Sequence, residues 1–218
     1  IVVPEGGLQA FNDEVLDLDH VQFARKCAID IPGEETEELG KIAREYNSFI
    51  MAQAKARHPD LKDRFFNVGF IVDPDGKIIL KHYKLSALLP VERSVSPHDV
   101  YDWWIEKYGR NLQAFWPVVD TNIGRLGIMM AMEGNYPENG RGLAMNGAEV
   151  VYRASMPAPF TEIVVAAAIV LLGLYIGVAA GQWLTATVVI AVGVLAYLLL
   201  RTFAELVDVV ADTLLPPE

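Results

Sequence analysis

Two glutamates and a lysine in this sequence have the side-chain types that hydrolysis of an amide or nitrile requires. Such chemistry needs a thiolate, a base that activates it and later activates water, a cation for the tetrahedral intermediate, and a group that holds the base. Glu5 follows the apolar run IVVP, and burial at a strand end would suit its carboxylate to act as the base. Lys84 lies on a predicted strand, from which it could reach an oxyanion, and Glu92 lies in the loop that follows.

Each of these residues also has an ordinary interpretation. Glu5 alone could be a surface loop glutamate, strand lysines are mostly solvated, and Glu92 alone is a loop acid. The combination of the three residues, and not any single one, therefore indicates a site.

Charge and cysteine content exclude other classes of function. The chain has 218 residues and a formal net charge of −10. Since no basic cluster is present to displace counterions, we expect no nucleic-acid partner. The single cysteine, Cys27, cannot form an intrachain disulfide or, by itself, a thiolate metal site. We expect no metal and no cofactor.

Strand and helix patterns alternate through the first part of the chain. Apolar and β-branched runs predict strands, the motif DPDG predicts a hairpin turn, and helical spacing of apolar residues predicts helices. The strands are predicted at 1–3, 48–56, 67–85 as a hairpin, 123–133 and 148–155, and the helices at 34–47, 97–111 and 137–147. This order favours a layered α/β domain.

Several of these segments together resemble the nitrilase superfamily of carbon–nitrogen hydrolases. The resemblance rests on PE after a strand, KHYKL after DPDGKIIL, LPVER, and GIMMAMEGNYPENGRGLAMNGAEVVYRAS. It covers residues 1–157 and implies part of an αββα sandwich that is dimeric or larger. It also implies that Glu5 is the base, Lys84 the oxyanion cation and Glu92 a supporting glutamate. The ligand would be a small nitrile or amide.

The sequence departs from the family pattern at the nucleophile. The register given by Glu133 and by Tyr136-Pro137-Glu138 places Ala131 where the resemblance implies a cysteine. We expect Glu133 and Tyr136 to contribute to substrate binding. A methyl group cannot attack carbon, so covalent turnover is not expected of this chain. The hydrolase domain is also expected to be incomplete, because the family domain continues beyond this region.

Residues 158–218 have a different character. From 163 to 200 there are 38 residues without Asp, Glu, Lys or Arg, which predicts a membrane hairpin of two helices, 163–180 and 184–200, that turns at 181–183. Small residues, including Gly173 and Gly177, would allow close helix packing. A buried helical pair is the alternative. The segment that begins at Arg201 predicts an amphipathic C-terminal helix, and Arg153 and Arg201 favour a cytoplasmic N-terminal domain.

Two classes of function remain open at this point. The first is a carbon–nitrogen hydrolase scaffold that Ala131 leaves inactive. The second is a membrane-tethered, non-catalytic ligand-binding or interaction module. A mosaic of a hydrolase fragment and an unrelated membrane segment is a third possibility.

Overall fold

The computed structural model describes residues 1–10, 18–87, 92–155, 158–192 and 194–195. The chain divides into two compact units, Ile1–Ser155 and Met156–Glu218. The first unit contains two sheets and the helices that cover them.

The first sheet is formed by β1 (Ile50–His58), β2 (Leu61–Val72) and β3 (Ile78–Tyr83), all antiparallel and in that order. The turn between β2 and β3 is closed by Asp73, whose backbone N–H bonds to Lys77 and whose side chain accepts from the Lys77 N–H. The predicted hairpin is confirmed. Residues 1–3 add to the other side of β1, where Val2 forms a parallel bridge with Met51.

The second sheet is formed by β4 (Val118–Thr121), β5 (Gly124–Met130) and β6 (Val150–Ala154). β4 pairs with β5 in antiparallel fashion, whereas β5 and β6 are parallel and are joined through a helix. Parallel neighbours require such a crossover, and their carboxyl ends lie side by side.

Short helices connect and cover the strands. They are α1 (His20–Lys26), α2 (Glu34–Glu45), α3 (Tyr101–Tyr108), α4 (Leu112–Phe115) and α5 (Pro137–Met145), with 3₁₀ turns at Pro97–Val100 and Ala131–Asn135. The predicted helices at 34–47, 97–111 and 137–147 are confirmed in position. α1 begins after Asp19, whose side chain accepts from the Gln22 N–H and so satisfies a donor of the first turn.

The two sheets of the first unit pack face to face. Their shared core contains residues of both sheets, namely Met51, Ile71, Leu80, Leu126, Ile128, Met130, Tyr152 and Ala154. Gly69 marks a close approach, because a Cβ there would lie 2.6 Å from Ile128 Cγ2. The other face of the first sheet packs against α2 and α3 through Ala43 and Trp104. The expected mixed α/β sandwich is confirmed.

The second unit contains α6 (Ala158–Ala180) and a further helical segment, 183–192, after a turn at Gly181 with φ of +64°. A Cβ on Gly173 would lie 2.6 Å from Ile190 Cγ1, and one on Gly177 would lie 2.8 Å from the Trp183 ring. The predicted close packing through these glycines is confirmed.

The predicted membrane hairpin is not supported. Among the residues described here, none of the helices combines the length and the apolar character needed to cross a membrane. The predicted amphipathic helix after Arg201 lies outside the described residues.

Candidate active site

The structure brings Glu5, Lys84 and Glu92 together in the interior of the first unit. Lys84 Nζ donates to Glu92 Oε1 at 2.8 Å and Oε2 at 2.7 Å, and to Glu5 Oε1 at 3.5 Å. The three residues are only 7%, 3% and 4% exposed, in chain order. The lysine predicted on a strand is therefore not solvated. It lies between two carboxylates in a region where charges interact strongly.

Two buried amides organise these carboxylates. Asn67 Nδ2 donates to Glu92 Oε1 at 2.7 Å and to Glu5 Oε1 at 3.3 Å, while Asn67 Oδ1 accepts from Gln53 Nε2 at 2.6 Å. Sequence reasoning missed both amides. Their signal was present as polar residues that interrupt the apolar strands β1 and β2.

Glu5 is held by its backbone as well as by its side chain. Val3 N–H donates to the Met51 carbonyl at 2.8 Å, which aligns the chain start with β1. The next residues leave that edge, because Glu5 N–H donates to the Ser155 carbonyl at 3.3 Å and Gly6 N–H donates to Gln53 Oε1 at 2.9 Å. Glu5 therefore links the first sheet to the carboxyl end of β6.

Ala131 lies in a strained turn directly after β5. Its φ is +38°, a region that a residue with a Cβ occupies at a cost of about 1–2 kcal/mol. Such strain is characteristic of functional turns. Because Met130 pairs with Ala154 in the parallel ladder, Ala131 and Ser155 follow neighbouring strand ends. Arg153 Nη2 also donates to the Ala131 carbonyl at 3.3 Å.

Glu133 connects this turn to the end of β3. Its carboxylate accepts from Met130 N–H at 2.8 Å, Leu85 N–H at 2.6 Å and His82 Nε2 at 2.9 Å, and the residue is 1% exposed. Burial raises the pKa of this carboxyl. The charge and hydrogen bond of His82, together with the two backbone donors, outweigh that effect and hold its pKa below the usual value. Since Leu85 follows Lys84, the turn at Ala131 is tied to the lysine.

The predicted substrate-binding residues occupy different environments. Glu133 is 1% exposed, whereas Tyr136 is 46% exposed at the start of α5. A role for either side chain in substrate binding stays a prediction.

A family model for carbon-nitrogen hydrolases matches residues 1–202. The chain therefore belongs to the carbon-nitrogen hydrolase family. The match continues past residue 157, where the sequence predicted the end of the hydrolase domain.

Curated relatives include formamidases of Bacillus thuringiensis (strain Al Hakam) and Bacillus anthracis (strain A0248). Each is 28% identical over 156 residues, which are 71% of this chain and 40% of the relative. The chain thus spans less than half the length of these relatives.

Solved structures with a similar fold include two mutants of the Nesterenkonia AN1 amidase, a protein of the nitrilase superfamily. The match to a cysteine-to-alanine mutant has a TM-score of 0.50 at 17% sequence identity. It covers 78% of this chain and 58% of the amidase chain. A glutamate-to-glutamine mutant with acrylamide added at its active site cysteine has a TM-score of 0.50 at 15% identity, with 78% and 60% covered. At these identities the likeness shows the fold alone.

Proposed function

We propose that this chain binds a small amide or nitrile beside Glu5, Lys84 and Glu92 and that it does not turn this ligand over by covalent catalysis. The buried cluster of these three side chains carries the proposal. Glu133 ties the cluster to the strained turn at Ala131, so the four positions that an attack on a carbonyl carbon requires lie in one connected region.

The proposed roles follow from the chemistry of each side chain. The Lys84 ammonium would donate to the carbonyl oxygen, and Glu92 holds that ammonium in place. Glu5 would accept the proton of a nucleophile and return it to the leaving nitrogen. Ala131 stands where the attacking atom belongs, but its methyl group has no lone pair. No acyl–enzyme bond can form there.

The related amidase supports this assignment. That amidase has an active site cysteine to which acrylamide adds, and its cysteine-to-alanine mutant has a fold similar to that of this chain. We infer that Ala131 of this chain occupies the corresponding position.

Restoring a thiol tests the proposal. Ammonia release from formamide and acetamide should be absent for the unaltered chain and present for Ala131→Cys. It should fall by about 10²- to 10³-fold when Lys84→Met is added to Ala131→Cys. Ala131→Ser is the matched control, because it fills the same space with a weaker nucleophile.

Two results would overturn the proposal. The first is amide hydrolysis by the unaltered chain. The second is the combination of no ammonia from Ala131→Cys and no binding of acetamide to the unaltered chain in ligand-observed NMR.

The predicted homo-oligomer and the predicted cytoplasmic location of the N-terminal domain stay predictions, and light scattering would test the first of them.

A further inference from the structure

We propose that Lys55, a second buried lysine, is a positioning residue of this site that holds Glu92 and so keeps the Lys84 ammonium available to the ligand. This inference rests on the proposed function, because it assigns Lys55 to the amide-binding site.

Lys55 on β1, Asn67 on β2 and Lys84 directly after β3 form a row. Lys55 is the register partner of Asn67 between β1 and β2, and the Lys84 N–H donates to the Asn67 carbonyl at 2.9 Å. Residues directly opposite one another in antiparallel strands project from the same face. An amide donor therefore lies between two ammonium groups on the face of the first sheet that meets the second sheet.

Glu92 is the acceptor that all three members of the row share. Its Oε1 lies 2.8 Å from Lys84 Nζ, 2.7 Å from Asn67 Nδ2 and 3.7 Å from Lys55 Nζ. Lys55 is only 2% exposed. An ammonium group is buried to this extent only when a carboxylate compensates its charge, and Glu92 supplies one.

The second lysine changes the charge balance of the site. Glu5 and Glu92 carry two negative charges, and Lys84 alone would have to neutralise both. With Lys55 present, the four groups sum to zero. The attraction between Glu92 and Lys84 is then shared with a second cation, so Lys84 can turn part of its hydrogen-bonding capacity toward a carbonyl oxygen. Lys55 acts through Glu92 and does not itself need to touch the ligand.

Binding of acetamide tests this role in the unaltered chain and in matched variants. Lys55→Met should weaken acetamide binding by about tenfold or more, the size expected when a charged hydrogen-bonding partner is lost. Lys55→Arg, which keeps the charge, should stay within about threefold of the unaltered chain. Lys81→Met is the control. Lys81 is a part-buried lysine on β3 that donates to the Ile31 carbonyl, and its loss should leave acetamide binding unchanged.

A second measurement needs no ligand. NMR signals of the lysine ammonium groups report how fast their protons exchange with water. If Lys55 shares Glu92 with Lys84, then Lys55→Met leaves Glu92 to Lys84 alone and should slow exchange at Lys84 by about tenfold, whereas Lys55→Arg should not. Lys55→Gln replaces Lys55→Met in both measurements if circular dichroism shows that Lys55→Met is unfolded.

The outcomes separate this inference from the proposed function. Equal acetamide affinity in the unaltered chain and in the neutral Lys55 variant overturns the inference and leaves the amide site standing. Slower exchange at Lys84 in the neutral Lys55 variant, together with no acetamide binding by the unaltered chain, supports the positioning role of Lys55 and overturns the proposed function. Unchanged exchange at Lys84 in the neutral variant overturns the inference whatever the ligand result.

Discussion

The two faces of the first sheet are built from the same strands but carry different kinds of side chains. On the face toward α2 and α3, even-numbered residues of β1 and β2 are apolar and pack in one cluster, which includes Ala52, Ala54, Ala56, Phe66, Val68, Phe70 and Val72. On the opposite face, some of the odd-numbered residues are apolar and belong to the core between the two sheets. The others are polar, namely Gln53, Lys55 and Asn67. Both faces are buried. Polar residues on the face that meets the second sheet therefore mark the site and not the solvent.

The two faces also treat ionisable groups differently. The inner face, which meets the second sheet, pairs its lysines with the carboxylates of Glu5 and Glu92. On the outer face, which packs against α2 and α3, His58 lies among Phe66, Tyr83 and Trp104. Burial, reinforced by the positive charges of Lys107 and Lys81, lowers the pKa of His58 to about 4. The inner face therefore pairs buried charges, whereas the outer face keeps the His58 ring uncharged at neutral pH.

The largest expected effect is the loss of packing on the outer face. Phe66→Ala removes a ring that is 0% exposed and should cost about 3–5 kcal/mol of unfolding free energy, as measured by urea denaturation. In the folded fraction, acetamide affinity should not change. A parallel loss of affinity would mean that the two faces are not separate in function.

The next effect is a pH dependence that originates at His58. Because its folded pKa of about 4 lies below the ordinary histidine value of 6.5, the folded state resists protonation of His58. The contribution of neutral His58 to the unfolding free energy is fully present above pH 6.5. It decreases as the pH falls toward 4, by up to about 3 kcal/mol. Unfolding free energies of the unaltered chain and of His58→Gln should converge over this range. A constant difference between them would contradict the assignment.

A smaller loss of stability, but a specific loss of binding, is expected on the inner face. Asn67→Leu leaves Gln53 and two carboxylates without an amide partner and should cost about 1–3 kcal/mol. It should also weaken acetamide binding. Val68→Ala is the control, because the next residue along β2 faces the other side and should lose stability without losing affinity.

The smallest effect is expected where charges lie outside both faces. Arg25 and Asp63 pair at 2.8 Å with side chains that are 65% and 58% exposed. Solvent screens such pairs, so Arg25→Ala should leave the unfolding midpoint unchanged within error. A clear shift would show that surface pairs contribute to this fold as its buried pairs do.

Strong local patterns were sufficient for part of the fold. The helix Glu34–Glu45 has acids in its first turn and a base in its last, and the β2–β3 hairpin has Pro and Gly in its turn, so both were predicted. α1 was missed because seven residues are too few to display a helical period. Polar residues alternating along β1 were missed as site residues, because alternation normally indicates a solvated face and here both faces are covered.

The sequence by itself determined the family resemblance, the order of strands and helices in the first unit, and the residue types at Glu5, Lys84, Glu92 and Ala131. Only the tertiary structure decided that the three charged residues meet, that Asn67 and Lys55 join them, and that Ala131 adopts a strained turn. The physical reason is that these contacts link residues up to 79 positions apart in the chain. Their energies depend on burial between two stacked sheets, which no local pattern encodes.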